Sequence, residues 1–151
     1  MRALPVMPQD AIDKTRRLQD AMRQLPQVAI DTQHLIHAGM YARTVLVPAG
    51  CVVVGAHITL ATILIMSGHA TVYIGDEAHE LRGYHVIAGE PGRKQAVLAH
   101  SDTHFTMLFP SAAQSVADAE NEFTDEADGL LSRLQPDHSL TVITGDNRCL
   151  E

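Results

Sequence analysis

Between residues 28 and 110 the hydrophobic period of this chain is two, and no helical pattern interrupts it. Seven short segments read as strands: 40–47 (MYARTVLV), 51–54 (CVVV), 57–66 (HITLATILIM), 70–74 (ATVYI), 84–87 (YHVI), 94–98 (KQAVL) and 104–109 (HFTMLF). The turn signals PAG, SG, GDE, RG, GEPG and HSD punctuate them. Period-two alternation sends successive side chains to opposite faces of a sheet. Short, evenly spaced strands of this kind build a sandwich or a barrel. The expected class is all-β.

The two ends read differently. Ala11, Thr15, Leu18, Met22 and Leu25 recur at helical spacing, with Ile12 and Ala21 alongside, so an amphipathic helix is expected over residues 10–25, capped by Asp10 and stopped by Pro26. An isolated helix of about four turns is marginal in water, and its apolar stripe needs the barrel or a partner to cover. Past Pro110 the chain is rich in alanine and acids, with a short helix expected over 125–134 (DEADGLLSRL) and an extended piece over 139–144 (SLTVIT). This divides the chain into an N-terminal helical arm (1–27), a barrel (28–110) and an acidic C-terminal arm (111–151).

One domain's worth of chain, 151 residues with 46% apolar and 19% charged content, can bury a single core. Aromatics are scarce and Trp is absent, so the core is expected to be aliphatic. The net charge of −7 argues against nucleic acid as a partner, because phosphate contacts need clustered Lys and Arg. Arg2, Lys14, Arg16, Arg17 and Arg23 enrich the first arm in base, whereas the last arm is strongly acidic. Such ends are either two solvated faces or complementary arms that dock on each other or on neighbouring subunits. Cys51 and Cys149 are too few for a disulfide framework and fit a reducing compartment. The start lacks a signal-peptide core and no apolar run reaches 18 residues, so neither secretion by an ordinary signal peptide nor a transmembrane helix is expected.

Residues 50–68, with Gly50, His57 and Gly68, resemble the first motif of the cupins, and Pro91-Gly92 resembles part of the second. The similarity is greatest to small cupin-like proteins of tailed phages, through Gly39-Met40-Tyr41-Ala42-Arg43, Pro48-Ala49-Gly50, His57-x-Thr59, Ser67-Gly68, Pro91-Gly92-Arg93-Lys94 and the tail TDEADGLL (124–131). The resemblance implies a cupin-type jelly-roll barrel, at least dimeric. In cupins two histidines and a glutamate of the first motif, with a histidine of the second, usually hold a divalent metal. Carried over by position, only His57 is retained. Thr59 stands at the second histidine, Ala61 or Ile63 at the carboxylate and Gln95 at the last histidine. One ligand of four does not hold a catalytic metal, so no cofactor and no catalytic residue are expected.

Strand parity counted from His57 sends Thr59, Ala61, Ile63 and Ile65 into the barrel with Phe105, Met107 and Phe109 of the last strand, which reads as a filled interior with His57 hydrogen-bonded in it. The remaining polar candidates for a pocket are His57, Thr59, Gln95 and Arg93. Arg93-Lys94 beside Pro91-Gly92 reads as a solvated turn at the barrel mouth, or as a basic spot for an anion or an acidic arm. His34 and His37 lie in an extended stretch that does not suit a shared metal, and His79, His85, His100 and His104 fall on strand ends and turns. Ser101, Asp102 and His104 are too close in sequence to converge as a triad, and no nucleophile elbow is present.

Three functions are thereby set against one another. The first is a non-catalytic structural or assembly protein, a phage virion component (head-decorating or tail-associated) that oligomerises and contacts other virion proteins, located in the virion or host cytoplasm. The second is a metal-dependent cupin enzyme of isomerase or dioxygenase type. The third is a metal-free barrel that binds a small molecule or glycan.

Overall fold

The computed structural model describes residues 1–144; Cys149 and the end of the acidic tail lie outside the described residues. Its centre is a long antiparallel hairpin, β5 (Thr62–Ile74) and β6 (Glu77–Gly89), paired from Thr62↔Gly89 to Ile74↔Glu77. Around it the chain pairs in nested order. β4 (Val52–Val54) lies against β7 (Ala96–Ala99), and β3 (Met40–Val47) against β8 (Thr103–Pro110), all antiparallel. Nested pairs rolled about one hairpin make a jelly-roll barrel, so the expected all-β class and barrel architecture are observed.

Both arms complete that barrel. β2 (Asp31–His37) pairs with β3 through a tight turn at Ala38-Gly39, where both residues have positive φ. β9 (Ser139–Ile143) then adds in parallel to β2, while β1 (Ala3–Leu4) adds in parallel to β6. The large sheet therefore runs β1-β6-β5-β8-β3-β2-β9, with β4 and β7 forming the second layer. The expected extended piece at 139–144 is this last strand.

β5 belongs to both layers. Its residues 63–67 pair with β8 and its residues 70–73 pair with β7. The change of sheet falls at Gly68, where φ is +144° and an added Cβ would lie 2.5 Å from Thr103 Oγ1. The buried Thr103 hydroxyl accepts from the His69 amide and donates its one hydrogen to the Ser101 carbonyl at 2.8 Å, which pins the corner. Ser67-Gly68 is thus a bend within one strand and not the turn the sequence suggested. Gly83, also at positive φ, sits opposite Gly68 in the ladder, and Arg82-Gly83 likewise bends β6 without ending it.

Helix α1 (Gln9–Met22) starts after Pro8, not at Asp10. Pro8 has no amide hydrogen to place in the helix, and its carbonyl accepts the first bonds, from Ala11 and Ile12. The helix buries Ile12 and Thr15 and stops short of Leu25. A helix unforeseen from the sequence, α2 (Val116–Phe123), is N-capped by Ser115, whose hydroxyl accepts from the Asp118 amide. The single helix expected over 125–134 is instead a 3-10 turn (Ala127–Gly129) and a short α3 (Leu131–Leu134), because Leu130 between them is extended.

Two apolar clusters make up the core. One gathers Leu4, Met66, Ala70, Val72, Leu81 and Ile87. The other is built around Tyr41, Phe109 and Phe123, whose rings lie 5.6–6.2 Å apart, under α2. The expectation of a purely aliphatic core is corrected here: three of the six aromatics, Tyr41, Phe109 and Phe123, are buried together in one cluster. A Gly68→Ala substitution is expected to lower the unfolding free energy by about 2–3 kcal/mol, as overpacking against Thr103 does. Urea denaturation measures it, and a midpoint equal to wild type would show that the corner tolerates a side chain.

Candidate functional site

The strand that should carry the cupin ligands begins only at Thr62. Residues 57–61 are irregular, held by two bridges of Ile58, one to Arg93 and one to Thr124. Alternation therefore restarts at Thr62, and the inward residues are Thr62, Leu64 and Met66. Thr59 and Ala61 are exposed, and Ile63 is 45% exposed on the outer face. This overturns the parity counted from His57. Met107 and Phe109 do point inward as expected.

His57 is held by the acidic arm and not by the barrel interior. Its amide donates to Glu126 Oε1 at 2.8 Å, and its Nδ1 lies 3.1 Å from Asp125 Oδ1. Gln95 faces the N-terminal segment, with Nε2 3.6 Å from Met7 Sδ. Arg93 is 2% exposed, its guanidinium donating to the Glu90 carbonyl and Thr62 hydroxyl, both at 2.6 Å, with Gly89 tight against it. Its burial lowers the guanidinium to about 10. The four pocket candidates thus reach different partners and do not converge. A divalent metal does not fit this set: His57 is engaged by the arm, Thr59 and Ala61 look outward, and Gln95 lies against a thioether. Among the described residues no three His, Cys, Asp or Glu side chains group to share an ion.

The reading of Arg93-Lys94 as a solvated turn is also corrected. Lys94 is fully buried, and its ammonium donates to the Gly55 carbonyl at 2.9 Å and to Glu126 Oε1 at 2.7 Å. Arg16 of α1 reaches the other oxygen of Glu126 at 2.9 Å. One carboxylate of the acidic arm therefore joins the basic helix, the barrel and the His57 backbone. Burial alone would raise Glu126, but the donors Lys94, His57 N–H and Arg16 hold it at about 2. Lys94 moves down because its desolvation outweighs the attraction of Glu126. Complementary arms that dock on each other, the sharper alternative read from the charge pattern, are what forms.

A second buried network repeats the theme. Arg43 of β3 donates to Glu120 Oε2 at 3.1 Å, and Arg133 to Oε1 at 3.0 Å, with Ser132 on the same carboxylate. Burial opposes ionisation of Glu120, and the hydrogen bonds from Ser132 and Arg133 with the charge of Arg43 overcome it, so its pKa falls. His34, between Tyr41 OH and Ser139 Oγ at 2.7 Å each, is lowered to about 4 by burial and by Arg43, and it ties β9 to the sheet as a neutral ring. None of these roles was singled out from sequence. A buried Arg43 on an inward strand position was the one available signal.

The interior is not filled. Val45, Leu64, Phe105 and Met107 of the large sheet line a cavity of about 610 Å³ together with Val52, Val53 and Val54 of β4 and with Leu18, Met22 and Leu134 of the two arms. Its lining is predominantly apolar, and Arg43 and Glu126 on its wall are paired as above.

No family model and no curated protein matches the chain. Solved structures similar to it include a cupin superfamily protein from Desulfitobacterium hafniense, 12% identical over 58% of this chain and 82% of that one, with a TM-score of 0.46. A cupin-2 domain containing protein from Shewanella frigidimarina is 14% identical over 62% and 91%, with a TM-score of 0.43. Ectoine synthase from P. lautus is 15% identical over 65% and 75%, with a TM-score of 0.47. The jelly-roll architecture itself stands on the nested strand pairing.

Glu126→Gln removes the countercharge of a buried Lys94 and leaves it only neutral acceptors such as the Gly55 carbonyl, a loss expected on the order of 3 kcal/mol in unfolding free energy. The folded carboxyl titrates at about 2 against an ordinary 4.5. Its stabilisation is therefore complete above the ordinary value and lost as pH falls through the folded one. Between those two values wild-type stability should fall more steeply with acid than that of Glu126→Gln. Denaturant titrations at stepped pH measure both slopes, and equal slopes would remove Glu126 from this role.

Proposed function

We propose that this chain is a non-catalytic structural protein, a cupin-type jelly roll kept for its shape, whose arms are fixed to the barrel so that the whole serves as a rigid building block. The observation that carries this reading is the use made of the second-motif region. Arg93 and Lys94 are buried as anchors, and Gln95 lies against Met7. Charged groups that an active site would present to a substrate hold strands and arms together instead. Jelly rolls are frequent in capsid proteins, and the motifs at 39–43, 48–50, 91–94 and 124–131 are similar to those of small phage-encoded cupin-like proteins. We accordingly place the protein in a virion, as a head-decorating or tail-associated component in contact with other virion proteins.

Mass spectrometry of purified virions from the source should detect the chain at structural copy number, and its absence would sink the virion placement. Elemental analysis of untagged protein should find no stoichiometric transition metal. A bound metal that disappears in His57→Ala would instead favour the enzyme reading.

The cavity supports a second reading, a metal-free barrel that takes a small molecule. About 610 Å³ lies within the ~300–1,000 Å³ range of ligand pockets, and its walls suit an apolar molecule more than a glycan. Thr59, Gln95 and Arg93, the polar contacts expected for such a ligand, do not line it. Titration with an environment-sensitive apolar dye should give saturable fluorescence that Leu64→Trp, by occupying the space, reduces at least about tenfold. Unchanged dye binding in that variant would place the dye elsewhere.

A further inference from the structure

Leu18, Leu25, Val28, Val52 and Leu134 line the apolar cavity and are nevertheless 40–62% accessible, so they stand where it meets solvent. Apolar surface left exposed in one place marks an interaction site, and here it continues into an apolar hollow. The N-terminal arm, β4 and the acidic arm each supply part of this rim. The positions of the cupin ligand pattern, His57, Thr59, Ala61, Ile63 and Gln95, do not line the space. It is a different site from the one that pattern marks.

We propose that the cavity takes a linear aliphatic chain with an uncharged, hydroxyl-bearing head, of the long-chain alcohol or monoacylglycerol kind. The proposal rests on the reading of the cavity as a small-molecule site and names the class of molecule. The walls select the chain. Among the described residues that line the cavity, only Phe105 and Phe123 are aromatic, and the other apolar side chains are aliphatic or thioether. Met22 and Met107 are unbranched and adapt to a flexible occupant. Because the apolar rim extends past the enclosed space, a long molecule uses more of the surface than a compact one does.

Charge pairing selects the head. Arg43 and Glu126 on the wall are held by Glu120 and by Lys94 and Arg16. Arg23 pairs with Asp20, and its guanidinium lies against Gly129 of the acidic arm. A polar cleft adjoins the cavity there and shares Gln19, Arg23, Glu126 and Gly129 with it. Asp128 in that cleft is paired with Arg133. An ionised head would lose water without gaining an unpaired countercharge, which is costly. A hydroxyl pays far less, and Gln19, one turn before Arg23 on the same face of the helix, presents an amide to it.

The test uses the full chain and the apolar dye of the titration above. Decanol should displace the dye, with calorimetry giving one molecule per chain. Hexanol, shorter by four methylenes, should bind at least about thirtyfold more weakly, at roughly threefold per methylene. Decanoate and decylamine should each bind at least about fivefold more weakly than decanol. Leu64→Trp should weaken decanol at least about tenfold by occupying the space, and Val45→Phe takes its place should that variant fail to fold. Arg17→Gln, an exposed position of α1 outside the lining, should bind decanol as wild type does. Saturable dye binding that Leu64→Trp reduces but decanol does not compete with overturns this inference and leaves the cavity reading standing. Decanoate or decylamine binding as tightly as decanol overturns the uncharged head. Absence of both dye and decanol binding removes the cavity reading itself.

Discussion

The carboxylate of Glu126 is the point on which the rest of the molecule depends. A lysine ammonium with no exposure is tolerable only when an opposite charge and hydrogen bonds replace its water, and Glu126 supplies the charge to Lys94. The same group receives Arg16 from α1 and the amide of His57. Pulling Glu126 into the barrel sets the path of the chain on both sides. It places Phe123 in the aromatic cluster before it, and it sends the following residues into the broken helical turns that lead to β9. Parts of the chain that lie about a hundred residues apart in sequence meet at one side chain.

That arrangement also explains what became of the barrel's interior. Arg93 and Lys94 are neighbours with opposite duties: one secures the ends of β5 and β6 through Thr62 and the Glu90 carbonyl, the other secures the acidic arm. With the polar chemistry of this region directed into the framework, the space between the layers is left to Val45, Leu64, Phe105 and Met107, and it is apolar. Glu120 does at α2 what Glu126 does at the following turn, receiving Arg43 from below and Arg133 from its own arm.

Much of the fold was legible because it is written in local signals. Alternation located most strands, the GDE turn marked the β5–β6 tip, and helical spacing located α1. The failures have physical causes. Ser67-Gly68 reads as a turn because a glycine at positive φ serves equally at a turn or at a sheet corner, and only the approach of Thr103 distinguishes them. Phase counted from His57 went wrong because residues 57–61 are held through Ile58 by bridges to Arg93 and Thr124, partners that no local pattern announces. The interior was expected to be full, yet parity gives the direction of side chains and says nothing of the distance between two layers. That Thr59, Ala61 and Gln95 stand where the cupin pattern has ligands was readable residue by residue. The burial of Arg93 and Lys94 was not, because a basic pair beside Pro-Gly looks like solvent-facing turn until the acidic arm is laid over it.

The parallel strands at the two edges of the sheet bear on how the chain reaches this state. β1 joins β6 across some eighty residues and β9 joins β2 across about a hundred, and neither pair can form as a hairpin. Contacts of such long range close slowly, since the entropy of the intervening chain is lost before they return anything. On a ribosome, the inner hairpins can assemble as they emerge, but β2 has only one neighbour, and Lys94 no countercharge, until the acidic arm has left the exit tunnel. Emergence of the acidic arm, with Glu126 and β9, is therefore the event that commits the barrel to its final form.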